Sequence, residues 1–402
     1  MALSVDEARR LILEAVPPLQ PIELPLAEAY GCVLAADVVA EYDIPAFSSA
    51  EVRGVAARSA DIAAATAAAP VTLRVVGTAA PGRPAEVTVG WGEAVRIAPG
   101  AAVPAGADCV VPIEEAVSQE AEVVEAVASG SGIRPAGDDV GAGSLLVPGG
   151  RRLSSAEMGL LALAGLGGAL AYPKVRVAVL SIGPLVEPGR PAGMGQIRDA
   201  NSYLLLGALR DAGAVPYRLG NVTRAETELR EMVQSNLLRA DAFVVSGAAP
   251  AEAGEAVALA LAGMGDVETY DVAAHPGSSF GFGVVEGKPF FSLSRKVAAA
   301  FVTFELFGRP AVLRLMGRRD LRRPEVRAVL EDDVSSPADV ERYVPSRVGR
   351  REGTWHCAPT GPSTDDRLAP IVRANGLAVI PPEGKASKGD EVAVQILRPM
   401  AR

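Results

Sequence analysis

The 402-residue chain is 49% hydrophobic but only 4% aromatic, contains 42 Gly and 31 Pro, and carries a formal charge of -9. Its length exceeds one ordinary core and predicts about two to four domains, and its composition is that of a globular chain with many turns rather than a disordered one. The acidic balance excludes a general nucleic-acid binder, which needs a basic face to neutralise phosphates.

The first helix is signalled by Ser4 and Glu7, a capping box, and stops before Pro17-Pro18. A second short helical unit is expected over Leu24 to Val39. Between Pro70 and Glu125 short alternating runs such as Val71-Thr72-Leu73-Arg74-Val75-Val76 are separated by Gly and Pro, the pattern of a small β domain. Ser154 and Glu157 signal another capped helix. The most apolar stretch, Met158 to Tyr172, is interrupted by Gly165, Gly167 and Gly168 and falls short of the roughly 20 residues of a membrane helix. A buried helix and no transmembrane segment are predicted there.

From Val175 the pattern changes. Val175 to Ser181 and Asp241 to Gly247 read as buried strands, each followed by a Gly-bearing loop and then a helix, Asn201 to Ala212 and Glu252 to Ala262. Strands alternating with helices imply right-handed crossovers and a parallel sheet, whose ligands bind at the carboxyl ends of strands, where Ser181 and Ser246 fall. A helix from Val297 to Phe307 closes this unit at Arg309-Pro310. Short β runs follow, with turns at Pro359-Thr360-Gly361-Pro362 and Pro381-Pro382-Glu383-Gly384. The expected fold is therefore α/β and multidomain. It has elongated N-terminal helical and β regions (1–40 with 141–173, and 41–140), a central parallel-sheet domain (174–316) and a small barrel-like C-terminal β domain (317–402).

Cys32, Cys109 and Cys357 are odd in number and widely spaced, suggesting neither a disulfide framework nor a zinc knuckle and predicting a reducing, cytoplasmic setting. No basic segment followed by an apolar core opens the chain, so no secretory leader is expected. Neither a Walker motif nor Gly-x-Gly-x-x-Gly between strand and helix occurs.

Several segments, in this order and at these spacings, resemble the molybdopterin molybdenumtransferase family, to which the E domain of gephyrin is related. They are Arg96 to Ala101, Pro104 to Pro112, Gly137 to Val140, Gly195 to Ser202, Phe304 to Phe307 and Arg373 to Leu377. The resemblance implies a central molybdopterin-binding-like domain and a dimer. The implied activity transfers molybdate to an adenylated pterin and hydrolyses the adenylate with Mg2+. It also assigns Asp199, Asn201, Ser246, Gly247, His275 and Arg295 to substrate binding, and Asp139, Asp199 and Glu255 as vestiges of the catalytic set.

The family pattern breaks where that chemistry is expected. Arg53 stands in place of an acid, and Ser181-Ile182-Gly183-Pro184-Leu185 lacks both carboxylates of the family's loop. Ser246-Gly247-Ala248-Ala249-Pro250 loses a glycine and a backbone donor. His275-Pro276-Gly277-Ser278-Ser279 loses two lysines, and Ser292 to Val297 replaces a glycine turn with Arg295 and Lys296. No metal ligand set is assigned, and Mg2+ and molybdopterin enter only if the chain is active.

Each candidate also has a plain structural reading. Asp199 and Asn201 suit a helix cap as well as a ligand contact, His275 suits a loop, and His356 suits a strand, because a metal needs more ligands than lie near it. Arg318-Arg319-Asp320-Leu321-Arg322-Arg323 reads as a solvated surface, with an acidic partner as the alternative. Three functional readings follow. The losses concentrate in loops while packing segments persist, which places first a catalytically degenerate dimeric scaffold, engaging a protein partner or a receptor's cytoplasmic segment as gephyrin does. The alternatives are active molybdenum insertion with a rebuilt site, and a non-catalytic molybdopterin or anion binder.

Overall fold

The computed structural model describes residues 2–113, 119–223, 225–247, 251–337, 339–382 and 384–398. The chain forms two compact units, one comprising Met1–Leu24, Gly31–Ala35 and Leu170–Arg402, the other Pro25–Tyr30 and Ala36–Ala169.

In the second unit, strands Cys109–Pro112, Gly54–Ala57, Glu93–Ile97, Val71–Ala79 and Glu120–Val123 lie side by side in that order. Successive residues point to opposite faces: Val55, Cys109 and Val111 enter one buried cluster, Ala56 and Val110 another. Gly54 is required by proximity, because a Cβ there would lie 1.8 Å from the Val111 carbonyl oxygen. Helix Ser155–Leu163 starts at the predicted capping box. It is not the buried helix expected over Met158 to Tyr172: only Leu161 is buried on it, Leu163 is exposed, and after Gly165 turns into the left-handed region the chain becomes the strand Gly168–Tyr172.

The helical unit expected over Leu24 to Val39 is also absent. A strand Ile22–Pro25, a single 3-10 turn Leu26–Glu28 and short strands Val33–Leu34 and Val38–Val39 occupy it. Pro25 and the left-handed Gly31 interrupt any helix, and paired valines favour extended backbone.

The first unit begins with helix Val5–Ala15, capped reciprocally by Ser4 and Glu7. Its buried Val5, Ala8 and Ile12 recur at helical spacing and join the main core. That core covers one face of a six-stranded sheet ordered Val215–Val222, Arg176–Ile182, Ala242–Ser246, Lys288–Leu293, Ser279–Val285, Gly265–Asp271. Val177, Val179 and Val244 face it together with Leu205 and Leu209 of helix Asn201–Asp211. Ala178, Leu180, Phe243 and Val245 face the opposite core, closed by Leu229 and Val257 of helices Ala225–Asn236 and Ala251–Leu261. Both faces are thus buried, and each enclosed Val, Leu or Phe contributes about 1.5–3 kcal/mol.

The sheet is mixed rather than wholly parallel. Its first four strands are parallel, Ser279–Val285 runs antiparallel to them, and Gly265–Asp271 pairs antiparallel with Ser279–Val285. Glu286 and Gly287 both adopt positive φ (48° and 75°), the two-residue turn that joins antiparallel neighbours.

Arg309-Pro310 does not end the last helix of this region. Helix Val297–Thr303 passes through a π-helical segment Phe304–Gly308 into a further helix, Arg309–Leu315. Pro310 has no N–H to offer the preceding turn, and the Leu306 carbonyl instead accepts from Arg9 Nε at 3.3 Å. The following basic run is not uniformly solvated either. Arg323 forms a bidentate pair with buried Glu305, both contacts at 2.9 Å, and donates to the Leu397 carbonyl.

The C-terminal strands Glu325–Leu330, Glu341–Arg351, Thr354–Pro359, Gly376–Ile380 and Glu391–Ile396 close on themselves, because Glu341–Arg351 pairs with both Thr354–Pro359 and Gly376–Ile380. This is the expected small barrel. The short strand Ala274–His275 runs parallel to its Glu341–Arg342 register.

Candidate functional site

The strand order reverses between Arg176–Ile182, whose sequence successor lies on one side, and Ala242–Ser246, which lies on the other. Such a switch point opens a crevice at the carboxyl ends of the strands. A pocket of about 560 Å3 occupies it, lined among others by Ile182, Leu185, Ile197, Asn201, Ser246, Gly247 and Val297 and by the charged Arg198, Asp199, Arg295, Lys296 and Asp366. Gly247 makes the close approach possible. It has φ of 105°, and a Cβ there would meet the Ile182 carbonyl oxygen at 2.3 Å.

Asp199 is 2% exposed and fully engaged. Its Oδ1 accepts from Ser181 Oγ at 3.0 Å and from the Ser202 N–H at 3.1 Å, and its Oδ2 from Ser202 Oγ at 2.6 Å and Arg218 Nη2 at 2.9 Å. Burial alone would raise this carboxyl, but the bonds from Ser202, Arg218 and Ser181 outweigh it and hold Asp199 below the ordinary carboxylate range. Arg218 also pairs with Glu187. Asp199 therefore anchors three elements and satisfies the Ser202 N–H in the first turn of the following helix, although the N-cap position itself is Ala200.

Asn201 is the first residue of that helix and caps nothing. Its Nδ2 donates to the Ser294 and Arg295 carbonyls, each at 3.1 Å, fixing the backbone that carries the two cations of the rim. Ser246 is buried with its hydroxyl 3.4 Å from that of Ser181. Arg295 is exposed, and Lys296 Nζ donates to Asp365 Oδ2 at 3.1 Å.

The remaining candidates lie elsewhere. His275 is half-buried, with Nε2 3.3 Å from the Ser363 carbonyl and Nδ1 3.9 Å from Asp365, and it does not line the pocket. Glu255 is exposed on helix Ala251–Leu261 and does not line it either; the preceding residues 248–250 lie outside the described ones. Asp139 belongs to the second unit, exposed, with its N–H donating to the Ile44 carbonyl. Arg53 lines a separate cavity of about 220 Å3 in that unit with Thr78 and Arg96. His356 sits in strand Thr354–Pro359, 3.9 Å from Glu331.

Sequence reasoning missed Arg218, Arg198 and Asp366. Arg198 lies within the Gly195 to Ser202 segment and its charge was a usable signal, whereas the others arrive from a neighbouring strand and from a loop of the C-terminal barrel. Among the described residues no three His, Cys, Asp or Glu side chains gather as a metal cage. Asp199 is occupied by internal donors, so Asp366 is the remaining carboxylate of the pocket lining. This donor set does not by itself fit Mg2+, which takes carboxylate, water and substrate phosphate oxygens. Cys32, Cys109 and Cys357 are buried and not disulfide-bonded, and burial pushes the Cys109 and Cys357 thiols up to about 11.

Three family models tile the chain: MoeA N-terminal region (domain I and II) over residues 3–165, probable molybdopterin binding domain over 178–314, and MoeA C-terminal region (domain IV) over 327–397. The chain is 33% identical to molybdopterin molybdenumtransferase 1 of Mycobacterium tuberculosis (strain ATCC 25618 / H37Rv), covering 97% of each chain. It is 34% identical to molybdopterin molybdenumtransferase 2 of the same strain, covering 94% of this chain and 95% of that one. The crystal structure of the molybdopterin biosynthesis MoeA protein from Pyrococcus horikosii superposes with a TM-score of 0.83 at 27% identity over 100% of both chains. Full-length similarity, domain order and fold agree, and the chain belongs to the molybdopterin molybdenumtransferase (MoeA) family.

Proposed function

We propose that this chain binds molybdopterin in the strand-end pocket and acts in molybdenum cofactor biosynthesis as a molybdopterin molybdenumtransferase. The observation that carries the proposal is the pocket itself: an intact crevice at the switch point, of a size suited to a phosphorylated pterin, with Arg198, Arg295 and Lys296 around a rigid polar floor. In this reading the three cations hold the phosphate groups, and Ile182, Leu185, Ile197 and Val297 cover the ring system. Asp199 and Asn201 fix the helix and the 294–295 backbone so that these groups need no reordering when substrate arrives. Molybdate is the second substrate. No step is assigned to Mg2+, because the described side chains supply no ligand cage for it.

The full-length matches to molybdenumtransferases support this catalytic reading over the scaffold that the sequence departures place first. One observation favours a second reading, retention of the pterin without turnover: cations dominate the pocket lining, and its buried carboxylate is already saturated by internal donors. Homodimerisation and a cytoplasmic location belong to the same proposal. Among the described residues no helix is long and apolar enough to cross a membrane.

The test supplies the purified chain with adenylated molybdopterin, molybdate and Mg2+ and follows AMP release. Release together with molybdenum incorporation is the expected result. Calorimetric binding of molybdopterin without AMP release selects the second reading, and the absence of both removes the pocket assignment.

A further inference from the structure

A second charged cavity, of about 600 Å3, lies between the N-terminal helix and the segment around residues 314–322. Asp6, Arg9 and Arg10 reach it from the helix at the i, i+3 and i+4 spacing that places side chains on one face, and Arg314, Arg319 and Arg322 reach it from the later segment. Its lining holds five arginines against three carboxylates, a local excess of two positive charges on a chain whose net charge is -9.

Direct pairing offsets only part of this excess, and the carboxylates beyond the lining that act on it are Glu341, on Arg9, and Glu7, on Arg10. A single Asp6 oxygen serves both Arg9, at 2.5 Å, and Arg322, at 3.1 Å. Arg9 Nε and Arg314 Nε are occupied by the Leu306 and Val16 carbonyls, which are neutral. The Arg10 and Arg319 side chains are exposed at the rim and make no hydrogen bond or ion pair among the described residues, Glu7 being the acidic neighbour that Arg10 acts on through space. Arg9 is 8% exposed, and its burial, followed by the neighbouring Arg322, pushes its guanidinium below the ordinary range. A guanidinium in a protein stays charged nonetheless.

We propose that this cavity is a binding site for a small phosphate-bearing anion of two or more negative charges, gripped by Arg10, Arg319 and Arg322 above the fixed Arg9. Guanidinium forks match phosphate oxygens two at a time. The partly desolvated floor strengthens the attraction relative to an open surface. The site is separate from the strand-end pocket and does not depend on its assignment.

The experiment is calorimetric titration of the full chain with inorganic pyrophosphate in low salt. The reference protein is Arg198→Ala/Arg295→Ala/Lys296→Ala, which removes the three cations of the strand-end pocket. Saturable binding to that reference is expected, weakened at least about tenfold when Arg10→Ala and Arg319→Ala are added, and partly restored by Arg10→Lys/Arg319→Lys, which returns charge without the fork. Arg10 and Arg319 are exposed, and an unchanged urea midpoint verifies that the fold survives. Equal affinity with and without Arg10 and Arg319, or no saturable heat in the reference protein, overturns the proposal.

Discussion

Asp199 and Glu305 are both buried carboxylates, 2% and 5% exposed, each paired with an arginine, yet their surroundings differ. Asp199 shares its charge among two serine hydroxyls, one backbone N–H and Arg218. Glu305 relies on the bidentate Arg323, with Arg309 Nε at a longer 3.9 Å. Neutral donors distribute the first charge over elements that converge on a pocket. The second is neutralised almost wholly by one guanidinium, which ties the π-helical segment to the chain at Arg323 and Leu397. The same ion-pair chemistry thus positions a site in one place and fastens tertiary structure in the other.

The sharpest way to break this contrast is Arg323→Ala. It leaves Glu305 buried with its main partner gone, and urea unfolding is expected to show a loss of about 3–5 kcal/mol. Replacing both members, Glu305→Met/Arg323→Met, recovers most of that loss, since no uncompensated charge remains. Arg218→Ala is expected to cost less, about 1–3 kcal/mol, because Ser181 and Ser202 still serve Asp199. An equal cost for the two arginine substitutions would erase the distinction.

The smallest effect is a pH dependence. Asp199 is held below the value of about 3.9 that it takes in an unfolded chain. The unfolded state therefore binds the proton more readily, so the stability that Asp199 contributes is present above about pH 4 and is lost as pH falls through the folded value. Asp199→Asn removes that dependence, and the acid limb of its stability curve, measured by urea midpoints from neutral to acid pH, is expected to be shallower than that of the unaltered chain.

Much of the architecture was legible because local pattern and tertiary demand coincide. Val175 to Ser181 was expected as a strand and forms as Arg176–Ile182, since both sheet faces are covered and the apolar run Val177 to Leu180 satisfies both. The boxes at Ser4 and Ser154 are local and appear as expected. The failures are equally specific. Leu24 to Val39 has helix-compatible composition, but strand pairing and Gly31 govern it. The continuation past Pro310 was hidden because the carbonyl that proline leaves free is satisfied by Arg9, some 300 positions earlier in sequence. At the site, the bond of Asp199 to the first turn of the helix was legible, whereas its pairing with Arg218 depends on the neighbouring parallel strand, and Asp366 reaches the pocket from the C-terminal barrel.

That last placement has a consequence for dissecting the protein. The loop carrying Ser363, Asp365 and Asp366 reaches back to His275, Gly277 and Lys296, while Ala274–His275 lies in register with the barrel strand at Glu341–Arg342. The central α/β region excised alone would keep its strands but lose one wall of its crevice, together with the counter-ion of Lys296. The pocket is therefore a joint product of two segments distant along the chain, and grafting or truncation experiments must carry both to preserve it.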